Sequence, residues 1–214
     1  MVSVKKRRPY RSRLRAEQAE QTRLRILEAA EDLFTKHGYV ATTIEAVAAG
    51  ARVAVDTVYA TFGTKRNLLA ALVGLRVTGN TQGLDVLGGE GPRAVQNEPD
   101  PRRQIAMFAA DIAKRIERVR PIDDAMRSAA EIDPDIADMR ARMQEHRFRS
   151  LRTFTGWVSG DGALRPGLDI DHAAATVWAL TSPDVNRLLR DVRGWSRHRY
   201  ATWLADTLVR TLLP

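Results

Sequence analysis

Thr57 and Tyr59 stand three and five residues beyond Ala54, and residues 53–61 contain no Lys, Arg, Asn or Gln. Hydroxyls and a phenol beside the small apolar Ala54 and Val55 suit a surface that meets base edges and thymine methyls in a DNA groove. Bidentate reading of guanine or adenine has no side chain in this stretch. It falls to Arg52, immediately before it, or to the basic N-terminus, or else recognition rests on shape and van der Waals fit. Asp56 would repel phosphate and is better read as a first-turn acid favourable to a helix dipole.

Catalytic chemistry finds fewer residues. The four histidines, His37, His146, His172 and His198, show no paired metal spacing, and no serine lies in a nucleophile-elbow or phosphate-loop pattern. Glu131, Asp133, Asp135 and Asp138 cluster near a helix start, where capping and dipole stabilisation account for them. With no cysteine, structural disulfides and thiolate metal sites are excluded, in keeping with a reducing compartment. No catalytic residue, metal or cofactor is expected.

The elements that must position Thr57 and Tyr59 lie in residues 42–62. Thr42 reads as an N-cap with Glu45 three residues on, a capping box, and Ile44, Val47 and Ala48 follow on one apolar face. Gly50-Ala51-Arg52 breaks this pattern. A second begins with Val55, Val58 and Phe62 on the inner side, leaving Asp56, Thr57, Tyr59 and Ala60 mostly outward. Two short helices joined by a tight break make a helix-turn-helix.

Residues 44–62 resemble the helix-turn-helix of the TetR family of bacterial transcriptional repressors. The matching pattern runs on through Thr57-Val58-Tyr59, Phe62-Gly63-Thr64-Lys65 and Leu68-Leu69, and covers about residues 22–75. The resemblance implies that Tyr59 reaches DNA, that Phe62 packs in the core, and that Lys65 meets a phosphate at the start of the fourth helix. The implied DNA-binding set is Thr42, Thr43, Arg52, Ala54, Val55, Thr57, Tyr59, Thr64 and Lys65. Two positions depart from the family. Arg52 stands where glycine is usual, at a turn that tends to the left-handed region, so either Arg52 is compensated or Gly50 shifts the turn. Ala54 replaces the usual serine or threonine at the start of the recognition helix, removing a cap.

Charge follows the same division. Residues 1–77 hold 14 Lys and Arg against 7 Asp and Glu, and the remainder 20 against 19. The basic excess therefore sits with the motif, as expected for a polyanion-binding domain joined to a nearly neutral one. Hydrophobic residues at 44% with only 6% aromatics favour an all-helical chain. No apolar run reaches the length of a membrane span, and the N-terminus lacks the apolar centre of a signal peptide, so the expected location is cytoplasmic, without membrane contact.

The expected organisation is a basic flexible arm over 1–21, a helix-turn-helix domain with its connecting helix over 22–77, a flexible linker over 78–101, and a regulatory and dimerisation domain over 102–214. The arm either lies along phosphates or a minor groove or is a solvated tail. Apolar spacing predicts a helix over 18–37 ended by His37-Gly38, and Thr64 caps the next one. Beyond residue 101, Pro121 opens one helix, Asp133-Pro134 starts a long one, and two final helices cover about 170–191 and 196–213.

The resemblance implies that the last two helices pair with their copies across a two-fold axis, with Val177, Leu188, Trp203, Leu204, Leu208 and Leu212 as interface candidates. It also implies a small-molecule pocket on the middle helices, for which Met107, Phe108, Met126, Met143, His146, Phe154, Trp157 and Trp178 are candidates. Arg127, Arg147 and Arg149 leave room for an anionic ligand. The resulting expectation is an all-α, TetR-like homodimer that binds an operator in double-stranded DNA and is released from it by a small-molecule effector not yet known. The alternative is a DNA-binding regulator or architectural protein without a ligand.

Overall fold

The computed structural model describes residues 8–79 and 86–214, and all its regular structure is helical. The order is α1 (Arg8–Ala41), α2 (Ile44–Ala51), α3 (Val55–Phe62), α4 (Lys65–Thr78), α5 (Glu90–Gln96), α6 (Pro101–Ala130), α7 (Pro134–Val158), α8 (Ile170–Leu180), α9 (Pro183–Arg187) and α10 (Arg197–Leu212). A 3-10 turn at Gly160–Gly162 and a π turn at Leu188–Val192 complete it.

Helix α1 starts at Arg8, so residues 8–21, expected as a flexible arm, are helical. Pro9 sits in the first turn, where its missing N–H costs nothing, and the Arg, Leu, Ala, Glu and Gln that follow are good helix formers. An Arg13–Glu17 pair one turn apart adds to them. Residues 1–7, with the first three cations of the basic run, lie outside the described residues. The expected stop at Gly38 is present as a break: φ 78°, ψ 164° interrupts the helical backbone there.

Three further expectations are corrected. The stretch 78–101 contains α5, held because Val95 buries its side chain and its carbonyl accepts a 2.9 Å bond from Gln104 Nε2; residues 80–85 lie outside the described residues. Pro121 lies inside α6 instead of opening a new helix. The missing N–H leaves one carbonyl without its partner, but Ile116 before it and Ile122 and Met126 after it are all buried, so packing holds both halves. The helix expected over 170–191 ends at Leu180, because Ser182 accepts from Val185 N and Pro183 starts a new N-terminus.

Two cores result. One gathers Ile26, Leu27 and Phe34 of α1, Val47 of α2, Val58 of α3 and Leu68, Leu69 and Leu72 of α4. It also includes Ile122, Met126 and Ala129 of α6 and Ile136 and Met139 of α7, so the helix-turn-helix is built directly onto the ends of the two long helices. The other joins α5, the first half of α6, the second half of α7, α8 and α10. Helix α6 runs through both and packs against α1, α4, α7 and α10. Asp133 ends the α6–α7 turn as the expected N-cap, accepting from Asp135 N and Ile136 N.

Candidate functional site

The N-cap of α2 is Thr43, whose Oγ1 accepts from Ala46 N at 3.1 Å. Thr42, expected in that role and as a DNA contact, is 3% exposed and donates its hydroxyl to Gly38 O at 2.8 Å. It stabilises the end of α1 and has no surface to offer. Residue 43 takes the cap because helix geometry places the first orphan donors one position later.

The turn between α2 and α3 is made by Arg52, at φ 56° and ψ 50°, the sole non-glycine with positive φ among the described residues. Its N–H reaches the carbonyls of Ala48 and Ala49 and closes α2, and its side chain is exposed. The left-handed conformation costs a side-chain-bearing residue about 1 kcal/mol. Gly50 serves a different end: a Cβ there would stand 3.3 Å from Ala29 Cβ, so its lack of a side chain lets α2 approach α1.

Helix α3 is placed by Val58 and Phe62, both buried, with Arg23 of α1 lying 4.6 Å over the Phe62 ring. Its opposite side carries Asp56 and Tyr59, the latter 47% exposed, with Thr57 half-buried beside them. Val55 is half-buried against the core and Ala54 is exposed; Ala54 makes no side-chain cap, as its type requires. Thr64 caps α4 through Asn67 N. Lys65 is tied inward: Nζ lies 4.3 Å over the Tyr39 ring and donates to Val40 O at 3.3 Å. Burial lowers its pKa from the usual lysine value, with Asp133 opposing. Two of its three donors remain for other partners.

Thr43, Arg52, Ala54, Thr57, Tyr59, Thr64 and Lys65 thus occupy the caps, turn and outer face of one helix-turn-helix. A chemically suitable surface follows, with a phenol and hydroxyls at its centre and cations at its edges.

A second feature is a cavity of about 170 Å³ between α4, α5, α6 and α7, reached by Thr181 and Pro183 at the α8–α9 junction. Of the pocket candidates, Phe108, Met126, Met143, His146, Phe154 and Trp157 line it. Met107 does not, being exposed on the other side of α6. Trp178 does not either; it packs beneath Arg147, whose guanidinium stands 5.5 Å from its ring. Phe108 stacks on Phe154 at 3.7 Å, and Trp157 meets Phe154 edge-on.

Sequence reasoning missed Val73 and Val77 of α4, Val95 of α5, and the Asp111, Arg115 and Asp123 side chains in the wall. A signal existed: Asp111 and Arg115 fall on the same stripe of α6 as Phe108 and Ile112, charges on an apolar face. Asp111 and Arg115 pair at 2.8 Å. Asp123 is raised above the usual aspartate pKa, first by burial, with Arg140 at 3.7 Å opposing. Arg147 is lowered by burial to about 10 and so stays a cation at neutral pH. The other two arginines considered for an anion are engaged elsewhere, Arg127 with Asp124 and Arg149 with Glu145.

The interface candidates divide. Val177, Leu204, Leu208 and Leu212 are fully buried inside the single chain, packed in the second core. They are corrected to monomer core: the apolar stripe of α10 lies against α6 and cannot also face a partner. Leu188 is 51% exposed and Trp203 half-buried on the outer side of α10, beside Trp195. Among the described residues no helix is long and apolar enough to cross a membrane.

Comparison with known proteins gives a consistent picture. Residues 26–72 match the family model described as bacterial regulatory proteins, tetR family. A probable HTH-type transcriptional regulator, ArpR of Pseudomonas putida, is 26% identical over 196 residues, covering 84% of this chain and 90% of the relative. NalD, the secondary repressor of the MexAB-OprM multidrug efflux pump in Pseudomonas aeruginosa, has a similar fold at TM-score 0.69 and 23% identity, with 91% of this chain and 97% of that one covered. The SmeT–triclosan complex matches at TM-score 0.69 and 21% identity over 90% of this chain and 92% of that one.

Proposed function

From the premise that this chain is a TetR-family transcriptional regulator, we propose that it is a dimeric operator-binding repressor released by a small molecule in the α4–α7 cavity. Two copies would present two α3 helices to successive major grooves on one face of the duplex, with half-sites about 34 Å apart. Thr43, Arg52, Ala54, Val55, Thr57, Tyr59, Thr64 and Lys65 are the proposed contacts. The pairing surface is the outer face of α10 with Trp203 and the neighbouring Leu188, and the protein works where its DNA lies, in the cytoplasm. The domains are a helix-turn-helix unit through α4 and a regulatory unit from α5 onward that lends the ends of α6 and α7 to the first.

One observation carries the ligand-responsive part. Val73, Val77, Met126 and Met143 belong to the cavity wall and also pack in or against the core under the helix-turn-helix. A ligand that repacks them changes the seat of α4, and with it the spacing of the two reading heads. That NalD is described as a repressor and SmeT was solved with triclosan supports the same reading. An open apolar cavity at this junction favours effector control over an architectural protein without a ligand.

The test is binding of the purified protein to DNA from its own upstream region and to a random duplex, across a salt series. Preference retained at raised salt supports operator reading. Equal, steeply salt-sensitive binding to both would leave only the basic surface at work and overturn the proposal.

A further inference from the structure

The cavity wall carries two aspartates and two arginines, and one of the arginines is not paired directly with either carboxylate. Asp111 is matched by Arg115 at 2.8 Å and Asp123 faces Arg140 at 3.7 Å, whereas among the described residues Arg147 meets no carboxylate within 4 Å. Its Nη2 donates to Trp178 O and Thr181 Oγ1, both at 2.7 Å, and its Nη1 reaches only Gln144 Oε1 at 3.5 Å. All three acceptors are neutral, and Asp123 acts on the guanidinium only through space, so no carboxylate hydrogen-bonds to it and donors remain for a ligand. Nor is Arg147 alone: Arg115 Nε, in the same wall, is buried without any partner.

These two arginines lie at one level. The Phe108–Phe154 stack and the Asp123–Arg140 contact fix the antiparallel register of α6 and α7, and that register sets Arg115 opposite residues 147–148. The polar end of the cavity is therefore at Arg147, and the aromatic end at Phe154. Seven residues of helix separate them, roughly 10 Å of rise.

We propose that the cavity binds a short arylalkanoate, its carboxylate on Arg147 with Arg115 Nε as a second donor, and its ring against Phe108, Phe154 and Trp157. The assignment rests on the cavity being the effector site and names the ligand's chemistry. A carboxylate supplies the directly paired counter-charge that Arg147 lacks, and a charge-assisted hydrogen bond in an apolar surround is stronger than a neutral one. An engineered cavity of about 150 Å³ takes one benzene, so the 170 Å³ here takes the ring, and the chain reaches along the wall towards Arg147.

The experiment compares 4-phenylbutanoate, 4-phenylbutanamide and 4-phenylbutylamine, titrated into the full-length protein and followed by tryptophan fluorescence and calorimetry. The carboxylate should bind at least tenfold more tightly than the amide, with the amine weakest. Arg147→Gln should bring the carboxylate down to the amide's affinity and leave the amide unchanged, and Arg147→Lys should keep part of the preference. Because Arg147 also holds the end of α8, thermal melting of both variants is recorded; if Arg147→Gln does not fold, the wild-type series and Arg147→Lys decide. Equal or tighter binding of the amide or amine, or no binding of any probe, overturns the assignment. Operator binding of the unliganded protein is measured on the same samples. Its presence without carboxylate preference removes only the ligand class; its absence removes the repressor reading, while the ligand series still reports on the cavity.

Discussion

Arg76 of α4 holds Glu31 of α1 through two hydrogen bonds, Nε to Oε1 at 2.7 Å and Nη2 to Oε2. Both side chains are less than a third exposed, and the bond to Glu31 raises the arginine's pKa above its usual value. The pair locks α4 to α1, while the next turns of α4 put Val73 and Val77 into the cavity wall. The same α1 is approached by α2 at Gly50 and Ala29, so α4, α1 and α2 are in contiguous contact.

Glu31→Gln should lower stability by about 1–3 kcal/mol, since it leaves a half-buried guanidinium without its charge partner. Urea denaturation measures it. An unchanged midpoint would mean that the two helices are held by apolar packing alone.

Tyr59→Ala removes an exposed ring from the outer face of α3 and touches no core contact, so stability should move by no more than about 0.5 kcal/mol. Operator binding should be lost while the dimer persists in sedimentation. Normal binding by this variant would show that α3 is not the reading helix.

Arg52→Gly separates strain from recognition. Relief of the left-handed backbone outweighs the added freedom of the unfolded chain, for a net gain of about 0.5 kcal/mol. If Arg52 meets a phosphate, the same variant should weaken operator binding and reduce the salt slope by about 1. A more stable protein with unaltered salt dependence would leave Arg52 as a turn residue only.

Gly50→Val places a branched side chain where a Cβ alone would already stand 3.3 Å from Ala29 Cβ. Overpacking should cost about 1–3 kcal/mol and tilt α2 away from α1. Operator affinity should fall with stability, and a variant as stable as the parent would show that α1 gives way freely.

Asp123 carries a pH signature. Its folded pKa is raised by burial above the aspartate reference of 3.8, so the folded state binds the proton more tightly than the unfolded one. The stability tied to that proton is fully present below the reference value and is lost as pH rises through the folded pKa. Against Asp123→Asn, the wild type should lose stability across that window. Paired denaturation curves from acid to neutral pH check it, and a constant difference would contradict the assignment of burial as the main cause.

Much of the reading unit was legible in residues 44–69. Helix spacing there is local, and Val58, Phe62, Leu68 and Leu69 all bury as their period predicts. The cap was misplaced by one residue because Thr42 and Thr43 are alike in type. Only the Gly38 carbonyl above Thr42 decides between them.

The sequence by itself determined that the chain is helical, where the helix-turn-helix lies, and that its outward side carries Thr57 and Tyr59, because these follow from periodicity and chain-local chemistry. Tertiary structure alone decided the rest. Whether Leu204, Leu208 and Leu212 face a partner or α6 depends on which surface packs first, and an apolar stripe looks the same in either case. That Arg147 stands in a cavity wall with no directly paired carboxylate among the described residues depends on α6, α7 and α8 meeting at one level, with Asp111 and Asp123 contacting Arg115 and Arg140. Charge compensation is a property of positions in space, and Arg147 meets Trp178 and Thr181, more than thirty residues along the chain, only on folding.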